Sequence, residues 1–290
     1  MNLNKQRVNP NPVISVVMSA YNVEKYIREA IDSIVNQSFA DFECIIVDDG
    51  STDKTKEIIR SYDDKRIILV ENKHDFIESL NMGMKRAKGK YIARMDADDI
   101  MHPDRLKIQH SIMETERSIA VCGTWMNIFG ENISKRAFGI GNGLIEHPLL
   151  MFLKRCFIAN PSTMIRSDFL RKHRIQYEKE YIYTEDFKFW VEVAKHRGVF
   201  YVESQPLVNY RISENQVTKR KREEQKTTSE RISREILNYL LERNKEKHSE
   251  LADFLQSLLK LHESDFISFT EMLQIAHRIL HTNKNRLSLA

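Results

Sequence analysis

Cysteine is scarce in this chain, and its placement excludes the common cysteine chemistries. The 290 residues include three cysteines, which are Cys44, Cys122 and Cys156. They are far apart, their number is odd, and no CxxC pair occurs. We therefore expect no zinc site of the CxxC type, and we interpret the cysteines as buried reduced thiols in a reducing compartment.

Long apolar runs and a strong charge imbalance are also missing. No stretch approaches the roughly 18 apolar residues of a membrane-spanning helix, so we expect no such span. The first twelve residues, MNLNKQRVNPNP, contain no apolar segment typical of a signal peptide. We predict a cytoplasmic protein. The net charge of +4 is small for this length, so nucleic acid is not an expected partner.

What the sequence does contain is an alternation of apolar runs with amphipathic segments. Strand-like runs lie at 13–21, 42–49, 66–70 and 90–95, of which the first is rich in β-branched residues, and segments with helical spacing separate them. We predict that Asn22 caps the first of these helices. The alternation predicts βαβ units, and therefore an α/β fold with a mostly parallel sheet.

The rest of the chain is less regular. We predict a strand at 119–123, short strands at 199–202 and 207–210, and a helix capped by Thr184. After the charged run KRKREEQK, at 219–226, glycine and proline are absent.

Three stripes of apolar residues at helical spacing follow that charged run. We predict an N-terminal extension at 1–12, an α/β domain at 13–215 and a helical C-terminal appendage at 216–290.

Polar or acidic side chains follow three of the predicted strands. They are Ser19 and Tyr21, then Asp48 and Asp49, then the acidic run at 96–99. In open parallel sheets, ligands bind outside the carboxyl ends of the strands. We therefore expect these three groups to line one cleft.

Asp96 and Asp98 have the spacing D-x-D at the end of a strand. Such a pair suits a hard divalent cation such as Mg²⁺ or Mn²⁺, and clustered carboxylates repel one another unless a cation or base offsets them. The alternative is that the acids cap and charge a helix that starts at Pro103, a role that fits Asp99 and Asp104. From these residues alone the two interpretations are evenly balanced.

Longer stretches carry a family resemblance. The runs VISVVMSAYNVEKYIREAIDSIVNQSFADFECIIVDDGSTDKT, GKYIARMDADDIMHPDRL and YIYTEDFKFWVEVAKHRG resemble family 2 glycosyltransferases of the GT-A fold, in the family's order over residues 13–212. The resemblance is strongest to bacterial enzymes that add hexose or N-acetylhexosamine to lipopolysaccharide or capsule. It implies nucleotide-sugar binding by residues 13–100 and acceptor binding by residues 101–215.

The resemblance also implies roles for individual residues at the donor nucleotide. Ser19 and Tyr21 match positions that hold the uracil ring of a UDP-sugar. Asp49 matches the carboxylate that accepts a hydrogen bond from the uracil N–H, and Asp48 is interpreted as steadying the loop. Acceptance by an ionised acid is chemically sensible, because it carries acceptors only.

The remaining implied roles concern the reaction centre. Asp98 matches the acid that holds a divalent cation, Mn²⁺ or Mg²⁺, on the diphosphate, and Asp96 contacts the ribose or the metal. Asp186 matches the catalytic base of an inverting transfer to a saccharide or lipid-linked saccharide, with Glu185 as the weaker candidate. Without the family resemblance, we would interpret Asp186 as an acid in the first turn of a helix, where the helix dipole favours negative charge.

One loop departs from the family pattern. The run ENKHDFIESLNMGMKRAKGK has Asp75 and Phe76 where glycine is common in relatives, while Asn81 still matches the polar residue on the following helix. The contacts of this loop with uridine and phosphate are therefore left open.

Two other functions compete with glycosyl transfer as interpretations of this sequence. A haloacid dehalogenase phosphatase needs D-x-D before the glycine, and Asp48 and Asp49 are adjacent instead. The main alternative is a non-catalytic nucleotide-sugar or saccharide-binding subunit. From Lys219 onward, 14 Lys and Arg stand against 11 Asp and Glu. Residues 219–290 could therefore contact an anionic inner membrane surface, or pack within the protein or in a homo-oligomer.

Overall fold

The computed structural model describes residues 10–130, 133–212 and 221–289, without the side chains of 133–135. Most of the predicted N-terminal extension, and the predicted boundary at 215–216, lie outside these ranges. The strands are β1 (Ile14–Ala20), β2 (Phe42–Asp48), β3 (Ile67–Glu71), β4 (Tyr91–Asp96), β5 (Ile100–Met101), β6 (Ile119–Gly130), β7 (Ile133–Phe138), β8 (Gly143–Ile145), β9 (Met164–Arg166) and β10 (Val199–Ile212).

The helices alternate with the strands in the first half of the chain and follow them at its end. They are α1 (Ile27–Val35), α2 (Thr55–Arg60), α3 (Phe76–Arg86), α4 (Arg105–Thr115), α5 (Pro148–Lys154), α6 (Ser167–His173), α7 (Glu185–Lys195), α8 (Arg222–Asn244), α9 (Ser249–Glu263) and α10 (Phe269–Thr282). No helix within the described ranges is long and apolar enough to cross a bilayer.

The chain divides into two compact units. The sheet unit comprises residues 1–144, 158–177 and 198–214, and the helical unit comprises 145–157, 178–197 and 215–290. The helical unit thus takes two segments from the predicted acceptor half in addition to the C-terminal helices. The domain boundaries predicted from the sequence stay predictions.

The sheet has the strand order β3-β2-β1-β4-β9-β6-β10-β5, with β7 beside β6 and β8 beside β10. The pairs β1–β2, β1–β4, β2–β3 and β6–β10 are parallel, and β9 and β5 join as antiparallel strands. The predicted α/β fold with a mostly parallel sheet is therefore confirmed.

The apolar runs form the centre of this sheet. Strand β2 is buried along its whole length, and β1 is buried except at Ser19. Each fully buried Ile or Val side chain contributes roughly 1.5–3 kcal/mol to stability. Gly83 of α3 faces β1, where a Cβ would lie 2.5 Å from Val17 Cγ1, so glycine allows the helix to approach the strand.

One predicted helix cap is wrong, and another holds only in its position. Asn22 does not cap α1, which begins at Ile27, and its backbone is left-handed with φ +50°. Its side chain instead accepts a hydrogen bond from Thr52 N–H at 2.8 Å, because a loop thirty residues away offers that donor. Thr184 stands at the N-cap position of α7, but its side chain makes no capping hydrogen bond.

The two short strands predicted at 199–202 and 207–210 are one strand, β10. Its register against β6 shifts on both sides of Pro206. Proline has no N–H to give to a ladder, so it favours a bulge. The neighbouring strand keeps its pairing on both sides of that bulge, and β10 continues to Ile212.

In the helical unit the three predicted stripes form α8, α9 and α10. The buried apolar residues include Ile236 and Leu240 of α8, Leu258 of α9 and Met272 of α10. Phe254 of α9, also apolar, is 43% exposed instead.

The cysteine interpretation holds for two residues. Cys44 and Cys122 are buried, and burial raises the pKa of each thiol to about 12. Cys156 is only half-buried, so the expectation of a buried thiol is wrong there. Its segment at 145–157 joins the helical unit, outside the apolar strands that cover the other two.

Candidate functional site

The strand register brings the predicted donor residues to one edge of the sheet. Strand β1 lies between β2 and β4 and is parallel to both. Ser19 is opposite Asp96 of β4, and Ala20 is opposite Asp48 of β2. Tyr21 directly follows β1, Asp49 directly follows β2, and Asp98 lies two residues after β4. The sheet unit therefore places all of the predicted site residues except Asp186 at the carboxyl ends of three adjacent strands.

Asp49 is held by a set of hydrogen bonds. Its Oδ1 accepts from Asp75 N–H and from the Ser79 hydroxyl, both at 2.7 Å. Its Oδ2 lies 3.4 Å from His74 Nδ1, and only 2% of the side chain is exposed. A carboxylate with two donors on one oxygen is fixed in place before any ligand arrives.

These contacts explain the loop that departs from the family pattern. Asp75 is the N-cap of α3, and its side chain accepts from Glu78 N–H at 3.0 Å. Asn81 exchanges two hydrogen bonds with the backbone of Tyr177, so within this unit its role is structural. Gly50 has φ +80°, and a Cβ there would lie 3.1 Å from His74 N, so the turn that carries Asp49 to the loop favours glycine.

His74 is a residue of this edge that sequence reasoning missed. Its ring stacks on Tyr21 with centroids 4.0 Å apart and planes inclined by 30°. His74 is the only imidazole in the loop after β3, and Tyr21 already belonged to the predicted site. That pairing was the available signal, but only the fold shows that the two rings meet.

Asp48 and Asp96 flank this arrangement. Asp48 is buried, and its Oδ1 has no hydrogen-bond partner, while its backbone carbonyl accepts from Asn72 N–H at 2.9 Å. Asp96 Oδ1 lies 3.3 Å from an amino group of Arg94, whose other amino group donates to Val17 O at 2.6 Å. Arg94 is buried and thus braces the tip of β4 against β1.

The acidic run is poorly supplied with donors. Burial, and then the neighbouring Asp96, raises the pKa of Asp98 to about 6. Burial and the charges of Asp96 and Asp98 raise the pKa of Asp99 well above its usual value. Asp99 Oδ2 is buried without a hydrogen-bond partner. The run therefore concentrates negative charge that its own hydrogen bonds offset only in part.

Arg211, at the end of β10, is a second residue that the sequence did not point to. Its N–H donates to Asp99 Oδ1 and its Nε to Asp98 O, both at 2.8 Å. The guanidinium also pairs with Glu29 at 2.6 Å and lies over the ring of Tyr26. Arg211 therefore ties the acidic run to the end of β10.

The alternative interpretation of the acids as helix caps holds only for the position of Asp104 and is wrong for Asp99. Helix α4 begins at Arg105, and Asp104 stands at its N-cap position without a capping hydrogen bond. The Asp104 side chain accepts from Ser38 Oγ instead, and Asp99 binds Arg211.

Arg105 lies buried behind the acidic run. It donates to the carbonyls of Arg94 and Thr163, and burial lowers its pKa to about 9. Within the described ranges, no three His, Cys, Asp or Glu side chains form a group able to hold a metal ion by themselves.

Asp186 lies in the helical unit, in the first turn of α7. Its side chain is half-buried, and Oδ1 accepts from Phe187 N–H at 2.7 Å. Glu185 beside it is buried. Of the two acids, Asp186 is the more accessible, and its catalytic role stays a prediction.

Comparison with known proteins gives the family. The model of "Glycosyl transferase family 2" matches residues 15–174. A Haemophilus influenzae protein, described as an uncharacterized glycosyltransferase, is 37% identical over 243 residues, which cover 79% of this chain and 75% of that protein.

Solved structures give the fold. Residues 1–349 of TarS from S. aureus, crystallised with UDP, match with a TM-score of 0.65 and 21% identity over 89% of this chain and 73% of that one. Against a longer TarS chain the match spans 40% of that protein. The mannosyltransferase PcManGT from Pyrobaculum calidifontis, in complex with GDP-Man and Mn²⁺, matches with a TM-score of 0.56 and 14% identity over 96% of this chain and 76% of that one.

The family model covers more than half of the chain, and the sheet is mostly parallel, as the sequence predicts. The chain therefore belongs to glycosyl transferase family 2 and is a glycosyltransferase with the GT-A fold.

Proposed function

We propose that this enzyme transfers a hexose or N-acetylhexosamine from a UDP-sugar to a saccharide acceptor, with inversion, in lipopolysaccharide or capsule assembly. The observation that carries the proposal is the register of β1 with β2 and β4. It sets an aromatic ring, a fixed carboxylate and a D-x-D pair along one edge of the sheet. An edge of this kind suits a base, a ribose and a diphosphate in that order.

The uridine part of the proposal rests on Ser19, Tyr21 and Asp49. Tyr21 offers a ring that is 42% exposed, and Asp49 offers an acceptor that its donors hold in place. Uracil presents an N–H between two carbonyls, so an acceptor-only carboxylate suits it. TarS, which has the same fold, has been crystallised with UDP and with UDP-GlcNAc. These complexes support a uridine-linked donor for the present enzyme.

The cation part rests on Asp96 and Asp98, which would hold Mn²⁺ or Mg²⁺ together with oxygens of the diphosphate and water. The donor set fits, because both cations prefer carboxylate oxygen, and two protein carboxylates leave room for phosphate. When bound, the cation would offset the negative charge that gathers on the leaving diphosphate. The Mn²⁺ bound by PcManGT supports this choice of metal class.

The acceptor part rests on Asp186. A sugar hydroxyl must lose its proton as its oxygen attacks the anomeric carbon, and a carboxylate within hydrogen-bond reach can take that proton. In the proposed step, the bond from the anomeric carbon to the acceptor oxygen forms while the bond to the UDP oxygen breaks. Attack from the face opposite UDP inverts the anomeric centre, so no covalent sugar–enzyme intermediate is needed.

A donor panel tests the proposal. The enzyme is incubated with Mn²⁺ and UDP- or GDP-linked hexoses and N-acetylhexosamines, and released nucleoside diphosphate is measured. We expect release from one or more UDP-sugars, and turnover of GDP-sugars alone would overturn the uridine assignment. Release of UDP also separates catalysis from a binding subunit that only holds the donor.

A matched pair of variants tests the base. We expect Asp186→Asn to reduce turnover by roughly 100-fold or more, in the range of general base catalysis. Glu180→Gln, at an exposed carboxylate of the same unit, serves as the control and keeps full turnover. If Asp186→Asn retains wild-type turnover, Asp186 is not the base.

The membrane contact predicted for residues 219–290 belongs to this proposal as the route to a lipid-linked acceptor. Its support is the excess of basic residues together with exposed apolar side chains, of which Phe266 is 80% exposed. Co-sedimentation with anionic liposomes at low and high salt tests it. Binding that weakens with salt, and that Phe266→Ser reduces, supports membrane contact, whereas absence of binding defeats it.

A further inference from the structure

His74 makes the two contacts that the proposed nucleobase needs. Its ring stacks on Tyr21 at 4.0 Å, and its Nδ1 lies 3.4 Å from Asp49 Oδ2 and 3.2 Å from Asp49 O. Two acceptor oxygens around Nδ1 favour a proton on that nitrogen. The imidazole thus presents a flat ring to Tyr21 and an N–H to Asp49, which is the pattern that uracil would present.

The Asp49 carboxylate has no other open position for a ligand of this kind. Oδ1 already accepts from Asp75 N–H and the Ser79 hydroxyl, so Oδ2 is the oxygen that remains. With 2% of the side chain exposed, a base reaches Oδ2 only after the ring of His74 has left it.

The stack itself leaves no room for a base between the two rings. Aromatic atoms in contact are roughly 3.5 Å apart, so a base held between Tyr21 and His74 would need about 7 Å between them. The observed centroid separation is 4.0 Å. Binding of a base to this face of Tyr21 therefore displaces His74.

His74 is placed so that this displacement is easy. Its side chain is 63% exposed, and it extends from a loop residue with φ +41°. Histidine, asparagine and aspartate enter this left-handed region more readily than other residues with a Cβ. The ring can turn into water while α3, which starts at Phe76, keeps Asp75 and Ser79 on Asp49.

We propose that His74 occupies the nucleobase subsite of the free enzyme and is displaced by the uracil of the donor, so that it sets the affinity and selectivity of donor binding. The inference rests on the proposed function, since it takes Tyr21 and Asp49 as the uridine site. Adenine would have to displace the same ring without offering a ring N–H to Asp49, so the exchange favours a base such as uracil, which carries one.

Calorimetric titration with UDP in the presence of Mn²⁺ tests the exchange in the full-length enzyme. His74→Gly removes the ring and retains the left-handed backbone, because glycine adopts positive φ freely. We expect its Kd for UDP to fall about fivefold, the equivalent of one lost ring stack. Lys73→Ala, at the exposed neighbouring residue, is the control and leaves the Kd unchanged.

A second readout follows the ring directly. In the wild-type enzyme we expect the ring current of Tyr21 to shift the NMR signals of the His74 imidazole protons, and comparison with His74→Gly assigns these signals. We expect saturating UDP to move these signals to the position of a solvent-exposed histidine.

The outcomes separate the inference from the proposed function. Weaker or equal binding of UDP by His74→Gly, or His74 signals that stay shifted in the UDP complex, would overturn the inference and leave the uridine site intact. Absence of UDP binding by the wild type and both variants would overturn the proposed function, and the inference with it.

Discussion

Asp49 and Asp98 lie at the same edge of the sheet, yet their surroundings differ. Asp49 accepts from a backbone N–H and a hydroxyl, and His74 faces its second oxygen. Asp98 stands beside two more carboxylates, and its pKa is raised to about 6 by burial and by Asp96. Hydrogen bonds within the fold hold Asp49 in place, whereas the burial of Asp98 beside other carboxylates lowers the stability of the fold.

That difference indicates different work at the two positions. A fixed, hydrogen-bonded acceptor suits recognition of a neutral ring, because its geometry is set in advance. A concentration of poorly offset charge suits a partner that brings positive charge with it.

The largest effect is expected on turnover at the acidic run. Asp98→Asn removes the proposed cation ligand and should reduce turnover roughly 100- to 1,000-fold, as loss of an electrostatic contact to a leaving group does. Release of UDP at saturating donor and Mn²⁺ measures it, with Asp63→Asn as the control at an exposed acid of the same unit. Turnover within about twofold of wild type would count against a cation role for Asp98.

The next effect is on stability at the base-binding end. Asp49→Ala leaves Asp75 N–H and the Ser79 hydroxyl without their acceptor, so the free energy of unfolding should fall by about 1–3 kcal/mol. Urea denaturation followed by circular dichroism measures the change. Ser79→Ala removes one donor rather than the shared acceptor and should cost less. An unchanged midpoint for Asp49→Ala would show that this hydrogen-bond set is not what holds the loop.

The opposite sign is expected at the other acid. Asp98→Asn removes a carboxylate whose pKa burial and Asp96 raise to about 6, so in metal-free buffer at pH 7 it should stabilise the fold by about 1 kcal/mol. Thermal unfolding in the presence of a chelator measures it. A lower melting temperature for this variant would mean that the acidic run is as well stabilised as Asp49, and the contrast between the two acids would be lost.

The smallest effect comes from Glu114 of α4, whose side chain contacts the start of β4. Hydrogen bonds from Lys90 and the Tyr91 hydroxyl lower the pKa of Glu114 from 4.5 to about 2. A carboxyl with a lowered pKa stabilises the fold fully above its unfolded value and loses that contribution as the pH falls towards the folded value. Glu114→Gln should therefore flatten the stability profile between about pH 4.5 and pH 2 by less than ~1 kcal/mol. Parallel profiles of variant and wild type would contradict this.

The sequence was most informative for strands whose positions follow from a local run of apolar residues. Mostly apolar runs predicted β1, β2 and β4 to within a residue or two, because runs of this kind form strands that are covered on both faces. The convergence of Ser19 with Asp96 then follows from parallel pairing.

The sequence was least informative where a contact with a residue far along the chain determines the local structure. Asn22 has the composition of a helix cap, but Thr52 takes its side chain. Pro206 suggests a break between two strands, but pairing with β6 continues through a bulge. His74 and Arg211 act through contacts with residues 25 or more positions away, which no local pattern records.

The length of β10 has a consequence for how this family member can vary. The strand delivers Arg211 to the acidic run, and the irregular pairing around Pro206 sets which side chain arrives there. Because successive side chains of a strand point to opposite faces, an insertion or deletion of one residue after the bulge would turn Arg211 away from Asp98. We therefore expect insertions and deletions in related chains to occur in the connections before β10. The number of residues between the bulge at Pro206 and Arg211 should stay constant.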